Sequence, residues 1–157
     1  MRTRASGFTL LEAMISVAIV VFMVIAAPPV LNWLSKQGVG HAVNQLRSDL
    51  QLARMMAINR KQACAIVLNT PDANQYQNSL NRQIVNLGSY RGGVRFLNPG
   101  PDGSRSSSQI VFNRQGMSAG PPADVFLADR KNSSIYRIRV MMPGGISVYR
   151  WSGDRWQ

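Results

Sequence analysis

The apolar positions of this chain change their period twice. From Phe8 to Ala27 they run almost unbroken, with Glu12 as the single charged residue. At about 1.5 Å per residue a helix of that length spans roughly 30 Å, the hydrocarbon thickness of a bilayer. Pro28 and Pro29 follow. Each removes a backbone donor and crowds the preceding turn, so a break in the helix is expected there. Beyond them Val39, Val43, Leu46, Leu50, Ala53 and Ala57 recur at helical spacing, while Asn44, Arg47, Gln51, Arg54 and Arg60 fall on the other face. Such a stripe predicts a globular layer lying against one side of a second helical stretch. Gly38 and Gly40 lower helix propensity within it and predict a local bend.

From residue 63 the period shortens to two. Strands are expected at 63–68, 84–87, 94–97, 110–113, 125–128, 136–142 and 146–151. The Asn- and Gln-rich stretch 69–82 reads as a loop or edge hairpin, and 98–108 as a loop. Tyr136, Ile138 and Val140 alternate with Arg137 and Arg139, the pattern of a half-buried strand. Pro143-Gly144-Gly145 is a tight turn joining the last two long strands, and Ser152-Gly153-Asp154 is a further turn. The fold class is therefore α+β: a long N-terminal helix, membrane half plus amphipathic half, packed on an antiparallel β-rich domain. The expected organisation is a stub at 1–7, a membrane helix at 8–30, an amphipathic helix at 31–62 and the β-rich domain at 63–157.

Charge adds a second theme. The 157 residues include 18 Lys or Arg against 7 Asp or Glu, a formal net charge of +11. That balance permits attraction to phosphate-rich or acidic partners and says nothing about fold. Arg137, Arg139, Arg150 and Arg155 lie near the C-terminus with Tyr149, Trp151 and Trp156 among them. Arginine and aromatic side chains together can bind phosphates and stack on bases, so Arg137, Arg139, Arg150, Arg155, Trp151 and Trp156 are candidate DNA contacts. The simpler reading is a solvated basic face that meets acidic neighbours.

Chemistry is otherwise sparse. Cys64 stands alone, which excludes an intrachain disulfide, and with His41 as the single histidine a zinc-type ligand set is lacking. Cys64 reads as a small core residue and His41 as a surface or groove residue. The acidic residues show no paired spacing, and Ser106-Ser107-Ser108 is loop composition rather than a nucleophile motif. Gly92-Gly93 and Gly144-Gly145 read as turns, since no phosphate-loop lysine follows them. No catalytic residue, metal or cofactor is implied, and an enzyme is not expected.

The N-terminal order is the reverse of a secretory signal, in which a cleavage site follows the apolar run. Here Gly7 stands between the basic stub, with Arg2 and Arg4, and the apolar run. A cut after Gly7 would remove the stub and keep the anchor. The positive-inside rule puts the N-terminus in the cytoplasm and the domain outside. A carboxylate such as Glu12 costs roughly 2.5–3.5 kcal/mol at a bilayer centre, somewhat less near the edge. Once Gly7 is removed, Phe8 carries a new α-ammonium one turn away, on the same or a neighbouring chain, and that amine is its natural counter-ion.

Gly7-Phe8-Thr9-Leu10-Leu11-Glu12 before an apolar run resembles the class III leader of type IV pilins and type II secretion pseudopilins. Val94-Arg95-Phe96, Ile110-Val111-Phe112-Asn113-Arg114-Gln115-Gly116-Met117-Ser118-Ala119-Gly120, Ile138-Arg139-Val140 and Pro143-Gly144-Gly145-Ile146 resemble the GspH/FimT group of minor pseudopilins and minor pilins. The resemblance implies a prepilin peptidase that cuts after Gly7 and methylates Phe8, and a Glu12 that guides docking. Pro29 falls where many members carry a helix-kinking proline. The implied setting is the bacterial inner membrane, single-pass with the domain periplasmic, and then a pilus or pseudopilus. The implied partners are the peptidase and other pilins or pseudopilins. Pilus and type II secretion stay open, and DNA reception for natural transformation is the alternative. Some FimT-type relatives bind DNA through a Gly-Arg-x-Arg element. Here only Arg137-Ile138-Arg139, without the Gly, and Gly153-Asp154-Arg155, with one Arg, approach it.

Overall fold

The computed structural model describes residues 9–157, with the side chains of 26–36 left aside. Gly7 and Phe8 lie outside the described residues. The chain divides into two compact units, one ending at Trp33 and one spanning Leu34–Gln157.

One helix, α1, is assigned from Leu10–Arg60. The expected break at Pro28-Pro29 is not an end of the helix: the assignment carries through both residues. Proline fixes φ at a helical value, so it deletes ladder hydrogen bonds without forcing the chain out of the helix. In the first unit the described side chains up to Ile25 are exposed, with large apolar residues 50–80% accessible. Among the described residues, no helix is long and apolar enough to cross a membrane. The apolar run to Ala27 extends past the last side chain described in that unit, Ile25.

In the second unit the expected stripe is the buried one. Val39, Val43, Leu46, Leu50, Ala53 and Ala57, joined by Ala42, are 0–2% accessible. The helix ends in a Schellman arrangement. Gln62 N–H donates to the Ala57 carbonyl at 3.2 Å and Lys61 N–H to the Ile58 carbonyl at 3.3 Å. Lys61 takes the left-handed φ of 52° that glycine usually supplies there.

Among the described residues, eight strands form two antiparallel sheets. β1 (Cys64–Leu68), β2 (Gln75–Asn78), β3 (Ile84–Asn86) and β5 (Gln109–Phe112) make the first, in the order β3-β2-β1-β5. β4 (Arg95–Leu97), β6 (Ala123–Ala128), β7 (Ile135–Val140) and β8 (Ile146–Arg150) make the second, in the order β4-β6-β7-β8. The Asn/Gln-rich stretch contains a paired strand: β2 lies between β1 and β3, with Tyr76 opposite Leu68 and Val85. Its apolar signal is a single buried tyrosine, too little for a periodicity to show. The α1 stripe, the inner faces of both sheets and Leu87 share one core.

β7 departs from the half-buried pattern. Ile138 and Val140 are buried, but so is Arg137, at 7% accessibility. The far face of the second sheet is covered. Gly100 lies against the Phe126 ring so closely that a Cβ there would approach it to 2.8 Å. Trp156 packs 5.6 Å from Phe126 and 5.0 Å from Trp151, centroid to centroid. The 98–108 loop and the C-terminal tail thus roof the sheet together.

Candidate functional site

Three of the candidate DNA-contact residues are brought close, but as internal structure. Arg139 forms a two-pronged pair with Asp124, its strand partner, at 2.8 Å for both bonds. Arg137 places Nη1 3.4 Å from Asp102 Oδ2 and Nε 3.3 Å from Asp124 Oδ1; the latter contact lacks hydrogen-bond geometry and is Coulombic only. The Arg137 guanidinium also lies 5.2 Å from the Trp156 ring centroid and 5.5 Å from that of Tyr149. Trp156 donates its indole N–H to Asp102 Oδ2 at 2.8 Å. Asp102 is the hub. Although burial acts to raise its pKa, hydrogen bonds from Ser104 and Trp156 win and hold it at about 2. Asp124 acts oppositely on its partner, raising the Arg139 pKa through their hydrogen bonds. Arg137, Arg139 and Trp156 are therefore committed to carboxylates of their own chain.

Arg150, Arg155 and Trp151 are placed differently. Arg150 and Arg155 are exposed. Arg150 and Trp151 line a cleft of about 560 Å³ with Asn132, Ser133, Ile135 and Gln157. The tail closes one side of it: Arg150 and Gln157 exchange backbone hydrogen bonds at 2.8 and 2.9 Å. Arg95 donates to Asn132 Oδ1 at 3.0 Å, so a further arginine reaches this end of the sheet. Strand pairing alone brings β4, and Arg95 with it, beside the β6–β7 turn.

Gly116 and Gly144, both in the segments that carry the family resemblance, have a shared task. Gly116 and Gly144 adopt φ of 77° and 81°, and a Cβ on Gly144 would come within 2.3 Å of the Gly116 carbonyl oxygen. A Cβ on Gly116 would strike Ile58 at 2.6 Å. Two turns, one from each sheet, thus stack on α1 at Arg54 and Ile58. Arg54 donates to the Pro143 carbonyl at 3.4 Å.

The N-terminal candidate is Glu12. Its backbone N–H donates to Thr9 Oγ1 at 3.3 Å, and Ser16 Oγ donates to its carbonyl at 2.8 Å. Thr9-x-x-Glu12 is therefore the Thr half of a capping box, and an acidic residue in a helix's first turn also suits the helix dipole. The Thr-x-x-Glu spacing was readable in the sequence. Cys64 is buried, free and donates to Asn78 Oδ1 at 3.3 Å, and burial pushes its thiol pKa up. His41 is exposed at a cleft with Gln37, Gln45, Tyr90 and Arg91. Among the described residues no cluster of His, Cys, Asp or Glu could hold a metal.

The family model of type II transport protein GspH matches residues 42–144, most of the helix stripe and all eight strands but the last. The chain belongs to the GspH family. A second model, the prokaryotic N-terminal methylation motif, matches residues 2–28. Two crystal structures of the Pseudomonas aeruginosa (strain PAO1) type IV minor pilin FimU share the fold. One has a TM-score of 0.52 at 12% identity, covering 80% of this chain and 96% of the FimU chain. In the other crystal form the score is 0.50 at 13% identity, covering 75% and 96%. A comparison with curated proteins finds no match to this GspH-family chain. The family is one of structural pilins and pseudopilins, and the minor pilin fold, with its helix packed on antiparallel sheets, is the one observed here.

Proposed function

We propose that this GspH-family protein is an assembly subunit of a type IV pilus or a type II secretion pseudopilus. In this reading a prepilin peptidase cuts after Gly7 and methylates Phe8, and the helix from Phe8 holds the protein in the inner membrane with its domain in the periplasm. The helix then passes into a filament core, where the Glu12 carboxylate meets a Phe8 amine of its own or a neighbouring chain. The observation that carries this is the first unit itself: described apolar side chains from Leu10 to Ile25 are exposed all round the helix. A helix apolar on every side needs lipid or other helices around it. Glu12 is the one carboxylate in that apolar setting, and it sits in the first turn, next to the expected new amine.

The test is substitution of Glu12 with mass spectrometry of the mature N-terminus. Wild type is expected to begin at methylated Phe8, and Glu12→Ala to be cut normally yet enter filaments at least about tenfold less often, as loss of one buried ion-pair partner demands. Normal assembly of Glu12→Ala removes the docking role, and a mature protein beginning at Met1 removes the leader assignment.

A second reading, DNA binding for uptake, rests on the cleft that Arg150 and Trp151 line and on Arg155 beside it. An exposed arginine next to a part-exposed tryptophan suits a phosphate with a stacked base. Arg137, Arg139 and Trp156 are withdrawn from it by their internal pairs. Its test is a gel shift at low salt, where phosphate contacts are strongest. Retardation that Arg150→Ala weakens supports it, and none at low salt ends it.

A further inference from the structure

One face of the second unit is apolar, exposed and rimmed by positive charge. On α1, Leu52, Met55 and Ile58 follow one another at intervals of three residues and are 41%, 57% and 44% accessible. The stacked turns that lie against Ile58 and Arg54 bring Met117, Met141 and Met142, at 45%, 41% and 59%. Their backbones are tied together: Ser118 N–H donates to the Met142 carbonyl at 3.0 Å, and Gly144 N–H to that of Met141 at 2.7 Å. Exposed methionines at such density are unusual on a free surface and adapt well to a partner's contours.

Among the described residues the charges around this face have no carboxylate partner. Arg47 precedes Arg54 by two turns, Arg60 and Lys61 close the helix, and Arg114 lies in the same turn as Gly116. Among the described residues every ion pair belongs to Arg137 or Arg139, so none involves these five. Arg54 Nε is buried without a hydrogen-bond acceptor in the described residues. The carboxylate nearest in sequence on the helix, Asp49, is turned inward and taken by Tyr76 and Gln45.

We infer that this face docks a different, acidic subunit of the same filament, whose carboxylates meet Arg47, Arg54 and Arg114 around an apolar contact on Met55 and Ile58. The inference rests on the filament-subunit reading. Charge decides the occupant. A second copy would bring its own surplus of arginines: the whole chain carries +11, and Asp49, Asp102, Asp124 and Asp129 are already bonded internally. Like charges set against each other at an interface disfavour the wrong partner, and opposite charges steer the right one.

The experiment places a photoreactive residue at Met55 in the full-length protein, in cells that express the filament system, with Arg105 on the loop as the reference position. The expected result is a crosslink from position 55 to a different, processed pilin-like subunit, at a peptide rich in Asp or Glu, at several times the yield from 105. Arg54→Glu is expected to cut that yield about tenfold, and a Glu→Arg or Asp→Arg change in the captured peptide to restore it. Because Arg54 is packed between two turns, Arg47→Glu on the exposed rim gives the same reading without touching the core. Crosslinking to a second copy or to DNA, or equal yields from 55 and 105, overturns the inference. So does a crosslink that Arg47→Glu leaves unchanged. The mature N-terminus is read in the same cells. Processed, filament-borne protein with no crosslink at 55 defeats the inference alone, whereas protein still beginning at Met1 defeats the filament reading and this inference with it.

Discussion

Gly38 of α1 lies directly beneath the Arg91 carbonyl: a Cβ built on Gly38 would sit 1.8 Å from that oxygen. The loop after β3 and the helix therefore touch backbone to backbone. Gly38 is a glycine because of this close approach, and α1 runs on through it. Gly40, two residues later, has nothing within 4 Å of such a Cβ.

The two glycines make a matched test. Gly38→Ala must push helix and loop apart and is expected to cost about 1–3 kcal/mol, as overpacking against backbone does. Gly40→Ala is expected to be neutral or to stabilise by up to about 1 kcal/mol, through helix propensity alone. Urea unfolding of the detergent-solubilised protein, followed by tryptophan fluorescence, reads both. Equal effects would show that the approach to Arg91 does not limit the structure.

Tyr76 and Asp49 join the first sheet to the helix. The phenol donates to Asp49 Oδ2 at 2.5 Å, while Gln45 donates to Oδ1 at 3.1 Å. Burial, then the bond to Asp49, pushes the Tyr76 pKa far above the ordinary phenol value. Tyr76→Phe leaves a buried carboxylate short of a donor and is expected to cost about 1–3 kcal/mol. Asp49→Asn is expected to be the milder change, since a neutral acceptor keeps the phenol bonded. The same unfolding measurement ranks them, and the reverse order would contradict the account.

Removing Asp124 leaves both Arg139 and the buried Arg137 short of a counter-charge. Asp124→Ala is expected to destabilise by about 3–5 kcal/mol, the usual penalty for an uncompensated buried charge. Arg139→Ala, whose side chain is 33% accessible, is expected to cost less. Thermal melting by circular dichroism compares them.

Asp102 makes the roof over the second sheet sensitive to acid. Its folded pKa, about 2, lies below the ordinary aspartate value of 3.8, so its contribution is fully present above the unfolded value and is lost as pH falls from about 4 through 2. Tryptophan emission is expected to shift in that window as the Trp156 N–H loses its charged acceptor. In Asp102→Asn that acid-dependent step should vanish. A step that survives the substitution belongs to another carboxylate.

Particular residues show how far the sequence reached. The stripe from Val39 to Ala57 was legible because helical burial leaves a period, and the strands from Cys64 to Arg150 because pleating does. Gly7-Phe8-Thr9-Leu10-Leu11-Glu12 needed only local order, and the family models match both ends of that reading. β2 was legible only as a loop or edge hairpin, since its polar residues pair by backbone and bury only Tyr76 and Asn78. The internal partners of Arg137 and Trp156 were not legible for a related reason. Arginine beside tryptophan has the same composition whether it waits for a phosphate or already faces a carboxylate.

Local periodicity and motif order thus determined the helix, the sheets and the family, because each depends on residues close together in the chain. Only the tertiary structure decided which charges are spent. Asp102 reaches Arg137 and Trp156 across 35 and 54 residues of chain, and Gly116 meets Gly144 across two sheets. Contacts of that range leave no period to read, since their partners are chosen by the folded path and not by neighbours in sequence.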